Sequence, residues 1–393
     1  MFRIILHSKI SPGKVWIMFD LNEIRKNIDA TDKEIIKLLE KRIGFSKEVA
    51  AHKKDVGKKV YDGDREKQKL EALANDIENP ENLPDIRKIF EQIMLDSRKI
   101  QYRELEKNGM SMLDPYETFD KVPTKGVNVV YQGVPGAYAY IAMKRFFGSD
   151  ANEISAPTWS EALTMVVEGK ADFAVLPLEN STAGSVTEVY DLLNEFPVYI
   201  VAEEFVEIDH NLLGLPGTKL CDIKKVYSHA QALYQCAEFL DEHPDWEKIS
   251  MPNTAASAKK VSEDNDRTCA AVASVEAGEL YGLEVLKEKI NDLKGNTTRF
   301  IIVSKERKFL KDAKKVSVIF ETPNETGTLY NLLSPIVYND LNMMKIESRP
   351  LRSKKWDSRF FVEFEGNLAD PGVKYALRGI YEEAKSMRLL GNY

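Results

Sequence analysis

Two positively charged residues lie on the apolar stripe of a long helix predicted near the start of the chain. Steps of seven from Ile28 reach Ile35, Arg42 and Val49, and Lys53 follows one turn later. Seven residues advance a helix by about 700°, a drift of about 20° per step, so Arg42 stays beside its apolar neighbours. Because an unpaired buried charge is costly, something anionic must meet these cations.

Polar side chains also interrupt the apolar stripes of the next two predicted helices. Glu66 heads the stripe of the second helix, with Asp62 just upstream, and Ser97 and Gln101 continue the stripe of the third. Residues four apart lie on one face of a helix. A small helical domain with cations, carboxylates and neutral polar groups turned inward is expected to enclose a polar, partly anionic ligand.

An ion-pair network that needs no ligand is the alternative. Lys53 could pair with Glu66, and Arg42 could pair with Asp62, so the residues alone leave both interpretations open. Arg25 lies about 100° around the first helix from Arg42 and cannot readily serve the same pocket from the same chain. A dimer could bring Arg25 across.

Short polar side chains follow several predicted strands in the middle of the chain. The strand ADFAVL runs directly into Glu179, Asn180 and Ser181, and ligands of open α/β sheets bind at the carboxyl ends of strands. Further polar clusters are Tyr227-Ser228-His229, Asn253-Thr254 and Asn296-Thr297-Thr298-Arg299-Phe300. Asn253 could equally be a helix N-cap, and His229 could be a satisfied loop histidine.

The pattern of predicted helices and strands divides the chain into three structured segments. Helical periodicity predicts helices over about Leu21–Asp55, Asp64–Glu78 and Pro84–Lys107, and strands alternating with helices follow from Val127. The expected organisation is an extension of unknown role (1–17), a helical domain (18–107), a linker (108–126), an α/β domain (127–304), a connector (305–315) and a small α+β module (316–393).

Composition narrows the classes of function. The chain has 393 residues, 43% of them hydrophobic and 30% charged, which excludes disorder for most of it, and its net charge of -7 argues against nucleic-acid binding through a positive field. Its three Cys and five His show no metal-binding spacing, so neither a metal nor a cofactor is expected. No apolar run approaches the roughly 20 residues of a membrane span, which favours a cytoplasmic protein without membrane contact.

The helical segment resembles the AroQ-type chorismate mutase domain over about Asn22–Leu105. The resemblance implies an intertwined helical dimer that binds chorismate, with one Arg of each pocket supplied by the partner chain. The roles it implies are Arg25 and Arg42 on the two carboxylates, Lys53 and Gln101 on the ether oxygen, and Asp62, Glu66 and Ser97 on the ring hydroxyl and neighbouring groups. A Claisen rearrangement needs only a held conformer and stabilised charge, which this residue set can provide.

The α/β segment resembles prephenate dehydratase over about Val127–Val303, on the Pro-x-Glu-Asn-Ser-Thr-x-Gly run and the Thr-Thr-Arg-Phe motif. The resemblance implies two α/β lobes like those of periplasmic binding proteins, with prephenate between them. Thr298 is expected to donate to the leaving hydroxyl, and Glu179 is a candidate to assist it. The prephenate-binding residues it implies are Glu179, Asn180, Ser181, His229, Thr297, Thr298 and Arg299.

The C-terminal segment resembles the ACT regulatory domain, a ferredoxin-like α+β module. The resemblance implies L-phenylalanine bound at a dimer interface by Gly327, Leu329, Glu347, Ser348, Arg349 and Pro350. The Glu-Ser-Arg-Pro element is intact, but the family's Gly-Ala-Leu run reads Gly327-Thr328-Leu329 here.

Together the three segments are similar to the P-protein family. Its members convert chorismate through prephenate to phenylpyruvate under phenylalanine feedback. A homo-oligomer, dimer or tetramer, is implied, and activity on arogenate stays open.

Overall fold

The computed structural model describes residues 20–111, 113–322, 324–351 and 358–393. The chain forms two compact units, one ending at Met110 and one running from Ser111 to Tyr393. The extension expected over residues 1–17 lies outside the described residues. No helix in the described ranges is long and apolar enough to cross a membrane.

The first unit is built from three α-helices, as predicted: α1 (Leu21–Val56), α2 (Gly63–Asp76) and α3 (Leu83–Lys107). Local signals set the ends of α1, because the Asp20 side chain accepts a hydrogen bond from the Asn22 amide and Gly57 adopts the left-handed conformation, with φ of 66°. The C-terminal half of α1 packs on α3, and α2 also packs on α3.

Much of the apolar stripe of α1 is exposed in the single chain. The exposed apolar residues of this helix are Leu21, Ile24, Ile28, Ile35, Ile36, Leu38, Ile43, Phe45, Val49 and Val56. The expected burial of Ile35 and Val49 therefore does not occur within one chain.

The second unit contains nine α-helices, one short 3₁₀ helix (Leu220–Asp222) and seventeen strands within its described residues. The helices are α4 (Tyr138–Phe147), α5 (Trp159–Val167), α6 (Thr187–Glu195), α7 (Ala230–Tyr234), α8 (Ala237–Asp241), α9 (Thr254–Asp264), α10 (Val275–Tyr281), α11 (Thr328–Tyr338) and α12 (Pro371–Glu383). The strands are β1 (Glu117–Phe119), β2 (Asn128–Gln132), β3 (Asn152–Ala156), β4 (Phe173–Asn180), β5 (Gly184–Ser185), β6 (Tyr199–Glu207), β7 (Asn211–Gly214), β8 (Lys225–Ser228), β9 (Glu247–Ser250), β10 (Cys269–Ala273), β11 (Glu284–Lys287), β12 (Thr297–Ser304), β13 (Lys308–Leu310), β14 (Lys315–Thr322), β15 (Met343–Pro350), β16 (Ser358–Glu365) and β17 (Ser386–Asn392).

These strands form two main sheets. The larger has the order β15-β16-β14-β17-β6-β12-β4-β2-β3, with β5 paired to β4, and the smaller has the order β11-β7-β10-β8-β9. A separate parallel pair, β1 with β13, joins the segment expected as a linker to the segment expected as a connector. The predicted helical segment followed by an α/β fold is confirmed.

The order of elements from β14 to β17 is strand, helix, strand, strand, helix, strand, as expected for the C-terminal module. Helices α11 and α12 cover one face of its strands. Its last strand meets the rest of the large sheet where Gly391 pairs with Ile200 of β6. A Cβ atom at Gly391 would overlap the Ile200 carbonyl oxygen, so this contact requires glycine.

Strand β12 lies between two cores and has a different core on each face. Phe300 and Ile302 pack on the side of α4, whereas Ile301 and Val303 pack on the side of α6 and the C-terminal module. Since side chains alternate along a strand, neighbouring residues at the start of β12 must also point to opposite faces.

Candidate active sites

In the helical unit, Arg42 of α1 reaches across to α3. Its Nη1 donates to the Ser97 hydroxyl and, at 3.2 Å, to the Ile93 carbonyl. Burial lowers the pKa of Arg42. The structure therefore brings Arg42 and Ser97 together, whereas the alternative partner considered for Arg42, Asp62, instead caps α2 by accepting the Arg65 amide at 3.1 Å.

Lys53 lies close enough to Glu66 for its charge to act on that carboxylate. Lys53 donates to the Val60 carbonyl, and the Glu66 carboxylate lies 3.8 Å from Nη1 of Arg98. Burial raises the pKa of Glu66, and the nearby charges of Arg98 and Lys53 offset only part of that rise. The region thus places a half-buried carboxylate among cationic side chains.

Arg98 is the residue of this region that the sequence analysis missed. It is buried, and its guanidinium lies 4.8 Å from the Tyr61 ring centroid. Arg98 lies four residues from both Met94 and Tyr102, which places it on the apolar stripe of α3. This spacing could have identified Arg98 as a buried cation from the sequence.

Gln101 is buried on α3, and its Oε1 has no hydrogen-bond partner among the described residues. A cavity of about 470 Å³ opens between α1 and α3, and neither Gln101 nor Lys53 lines it. Arg42, Ser97, Asp96 and several cations line it. By contrast, Arg25 is exposed, and its seventeen-residue separation along α1 places it about 26 Å from Arg42.

In the second unit, Thr298 is nearly buried at the start of β12, opposite Asn180 at the end of β4. Nδ2 of Asn180 donates to Oγ1 of Thr298 at 2.9 Å and to Oδ1 of Asn296 at 2.7 Å. No acceptor for the Thr298 hydroxyl proton occurs among the residues described. Thr298 can therefore donate this proton to a bound molecule.

Other predicted residues surround this pair. The Ser181 hydroxyl accepts from the Thr297 amide at 2.9 Å, which fixes the loop after β4 against β12. His229 is the N-cap of α7 and accepts from the Gln231 amide at 3.3 Å. Asn253 is the N-cap of α9, because its side chain accepts a hydrogen bond from the Ala256 backbone amide. This agrees with the prediction that Asn253 could be a helix N-cap.

Thr182, the threonine of the Pro-x-Glu-Asn-Ser-Thr-x-Gly run, leads from this site to three polar residues that the predicted site did not include: Tyr138, His210 and Gln235. The Gln235 amide nitrogen donates to the Thr182 hydroxyl at 2.8 Å, and its oxygen lies 3.2 Å from Nε2 of His210. Burial is the main cause that lowers the pKa of His210 to about 4. These residues are far apart in sequence and carry no shared local pattern.

Arg299 lies on the opposite face of β12 from Thr298. Its guanidinium binds Glu363 at 2.7 and 2.9 Å, Glu203 at 2.7 Å and the Tyr393 hydroxyl at 3.0 Å. Burial alone would raise the pKa of Glu363, but the hydrogen bonds and charge of Arg299 hold it below its usual value. This placement corrects the prediction that Arg299 contacts prephenate.

Glu179 is also turned away from Thr298. Its carboxylate lies 2.7 Å from Nζ of Lys345 on β15, because it occupies the same sheet face as its cross-strand neighbour Arg299. The expectation that Glu179 assists the Thr298 hydroxyl therefore needs correction as well.

Comparisons with known proteins cover both units. Residues 24–102 match the family model described as chorismate mutase type II, and residues 129–308 match the one described as prephenate dehydratase. The bifunctional chorismate mutase/prephenate dehydratase of Enterobacter agglomerans is 31% identical over 94% of this chain and 95% of its own length. The chain belongs to the family of bifunctional chorismate mutase/prephenate dehydratases.

Solved structures match the dehydratase part. A prephenate dehydratase of Arthrobacter aurescens in complex with L-Phe is 32% identical, with a TM-score of 0.63 over 68% of this chain and 89% of that chain. A structure described as a quorum quenching acylase is 31% identical, with a TM-score of 0.62 over 67% of this chain and 96% of that chain.

In this bifunctional enzyme, the residues expected to bind phenylalanine do not share one surface. Arg349 binds Asp191 of α6 at 2.7 Å, and Glu347 accepts from the Ser185 hydroxyl at 2.7 Å. Ser348 and Pro350 alternate with them and are exposed on the other face of β15. The Glu-Ser-Arg-Pro element therefore contacts β5 and α6 directly, through two of its four side chains.

Proposed function

We propose that the helical unit rearranges chorismate to prephenate and that the Thr298 site dehydrates prephenate to phenylpyruvate, under feedback by L-phenylalanine. Membership of the bifunctional family over 94% of the chain carries the assignment of activity. The observation that carries the dehydratase site is the Thr298 hydroxyl, which accepts from Asn180 and retains its own proton for donation.

For the mutase, the cations on α1 would hold the anionic substrate while charge develops on the ether oxygen of the breaking bond. Arg42 would bind one carboxylate, and Lys53 with Gln101 would stabilise the ether oxygen. Gln101 is buried and incompletely satisfied, which suits a side chain whose remaining partner is the ligand. No proton transfer is required, because the rearrangement only redistributes bonding electrons within the substrate.

The mutase site would need a second copy of the chain. The exposed apolar stripe of α1 needs a cover of similar length, and Arg25 lies too far from Arg42 to act in one pocket with it. A symmetric dimer through α1 meets both requirements, with Arg25 of each chain serving the pocket of the other.

Mixing two inactive variants tests this arrangement. Arg25→Ala and Arg42→Ala chains, unfolded and refolded together, should regain up to about a quarter of wild-type mutase activity, since half of the dimers would be mixed and each mixed dimer has one intact pocket. Each variant refolded alone is the control. If mixing restores nothing while mixed dimers form, Arg25 does not serve the pocket of the partner.

For the dehydratase, prephenate loses CO2 from its ring carboxylate, the electron pair of the breaking C–C bond completes the aromatic ring, and the ring hydroxyl leaves as water after gaining a proton. Thr298 would donate its hydrogen bond to that leaving hydroxyl, with Ser181, Thr297 and His229 contributing to the walls of the site. We assign the two sheets to two lobes with the substrate between them.

Residues 316–393 would form the ACT regulatory domain. Glu347 and Arg349 contact Ser185 and Asp191, next to the loop that begins at Asn180. Phenylalanine bound at this element would compete with those contacts and so alter the loop that holds Thr298.

The assignment is tested by incubating the purified chain with chorismate at neutral pH and measuring prephenate and phenylpyruvate against an enzyme-free control. Both products should form, and Thr298→Val should allow prephenate to accumulate while phenylpyruvate falls to the control. Thr164→Val, which removes a hydroxyl bonded within α5, is the matched control and should behave like wild type. Loss of both activities in Thr298→Val would contradict the proposal that the two sites are separate. In a parallel assay with supplied arogenate, turnover of arogenate but not of prephenate would make arogenate the substrate of the second site.

A further inference from the structure

A continuous chain of hydrogen bonds runs from Thr298 away from the dehydratase site. It passes from Thr298 through Asn180, Thr182, Gln235 and His210 to Tyr138 at the start of α4. Thr182 follows a strand of the large sheet, whereas Gln235 and His210 flank α7 and β7 in the layer of the small sheet. The chain therefore spans the two sheets.

The direction of this chain is fixed at Asn180. Its Oδ1 accepts the backbone amides of Thr182 at 3.1 Å and Ala183 at 2.9 Å, so its nitrogen must be the atom that faces Thr298. Thr298 is thus an acceptor in this bond. Its own proton remains available on the side away from Asn180.

The remaining bonds run in the same direction. The Thr182 hydroxyl donates to Oδ1 of Asn180 at 2.8 Å and accepts from Nε2 of Gln235. Oε1 of Gln235 must then accept, so Nε2 of His210 carries the single proton of the neutral ring. Nδ1 of His210 is left to accept from the Tyr138 hydroxyl, 3.1 Å away, and that hydroxyl also lies 3.2 Å from the Asp209 carbonyl.

We propose that Thr182, Gln235 and His210 are positioning residues of the dehydratase: the Asn180 amide is oriented by its two backbone donors, and the aligned side-chain bonds strengthen its hydrogen bond to Thr298, which keeps the Thr298 proton directed at the leaving hydroxyl. Aligned hydrogen bonds polarise one another, so each member strengthens the next. The chain is complete only at one separation of the two sheets. This proposal rests on the proposed role of Thr298.

The test is a pair of substitutions at Thr182, which is exposed and can change without risk to the core. Thr182→Val removes the hydroxyl at nearly constant volume and should lower the dehydratase kcat by about tenfold, with KM for prephenate changed less than about twofold. Thr182→Ser keeps the hydroxyl and should restore kcat. Thr164→Val controls for the loss of a threonine hydroxyl elsewhere. The mutase activity of each variant shows that the variant protein is folded.

A second site checks the direction of the bonds. Gln235→Glu keeps the acceptor for His210 but loses the donor to Thr182, so the Thr182 proton would turn toward residue 235 and the dehydratase kcat should again fall by about tenfold. Wild-type kcat in both Thr182→Val and Gln235→Glu would overturn the proposal. A rise in KM at unchanged kcat would also overturn it, because Thr182 would then bind substrate directly. A wild-type chain that fails to dehydrate prephenate would instead refute the proposed function.

Discussion

Replacing Arg299 by methionine should destabilise the second unit by about 3–5 kcal/mol, because the substitution leaves the buried Glu363 carboxylate without its two-pronged partner. Arg299 and Glu363 are only 7% and 6% exposed, and two hydrogen bonds of 2.7 and 2.9 Å join them. The Tyr393 and Ser317 hydroxyls also donate hydrogen bonds to Glu363, and they lie 2.7 Å from each other. Both are neutral, so neither replaces the positive charge of Arg299.

Urea unfolding followed by tryptophan fluorescence measures this loss. Tryptophans occur at positions 16, 159, 246 and 356, with none in the described helical unit, so the signal reports largely on the second unit. A loss of this size lowers the unfolding midpoint by about 1 M urea or more. Lys170→Met is the control, because it breaks an exposed pair with Glu168 and should cost at most about 1 kcal/mol.

The double variant Arg299→Met/Glu363→Met separates a structural role from a substrate-binding role. Removing both charges should recover most of the lost stability, since no uncompensated carboxylate remains at that position. The structural role of Arg299 is refuted if Arg299→Met unfolds at the same urea concentration as wild type. It is also refuted if the double variant is stable but its KM for prephenate rises more than about tenfold, because Arg299 would then contact the substrate.

Three further outcomes are expected. Lys53→Met should lower mutase kcat by about 100-fold or more and leave the dehydration of supplied prephenate unchanged; a normal mutase rate would remove Lys53 from the pocket. Arg349→Ala should raise the phenylalanine concentration for half-inhibition by about tenfold, and unchanged inhibition would place the effector elsewhere. The folded pKa of Glu363 lies below its ordinary 4.5, so its stabilisation is complete above that pH and is lost as the pH falls further. Glu363→Gln should therefore flatten the acid limb of the unfolding profile by up to about 1.4 kcal/mol per pH unit, and an unchanged slope would contradict this.

Local signals were sufficient to predict the three helices of the first unit. The first helix was predicted over Leu21–Asp55 and runs from Leu21 to Val56, because its cap at Asp20 and its stop at Gly57 are neighbours in sequence. Polar residues at strand ends likewise located Asn180, at the end of β4, and Thr298, at the start of β12, whose side chains meet at 2.9 Å.

Contacts made by distant segments could not be predicted in the same way. Arg299 and Glu179 belong to the motifs that identified the site, but which face of the sheet they occupy depends on strand register and on what covers that face. The C-terminal module covers it, through Glu363 and Lys345. The partners of Gln235 are set by the packing of two sheets, which no periodicity in the chain records.

The contact at Gly391 limits how the C-terminal module of this enzyme can be exchanged or removed. A side chain at position 391 would strike the Ile200 carbonyl, so the approach of the last strand to β6 depends on glycine there. A C-terminal module taken from another protein would need a glycine at the same place to make this contact. Deleting the module would strip the cover from one flank of β6 and leave backbone groups open to pairing with other chains. The C-terminal module and β6 are therefore joined through a contact that depends on one glycine, and exchanging the module requires that contact to be kept.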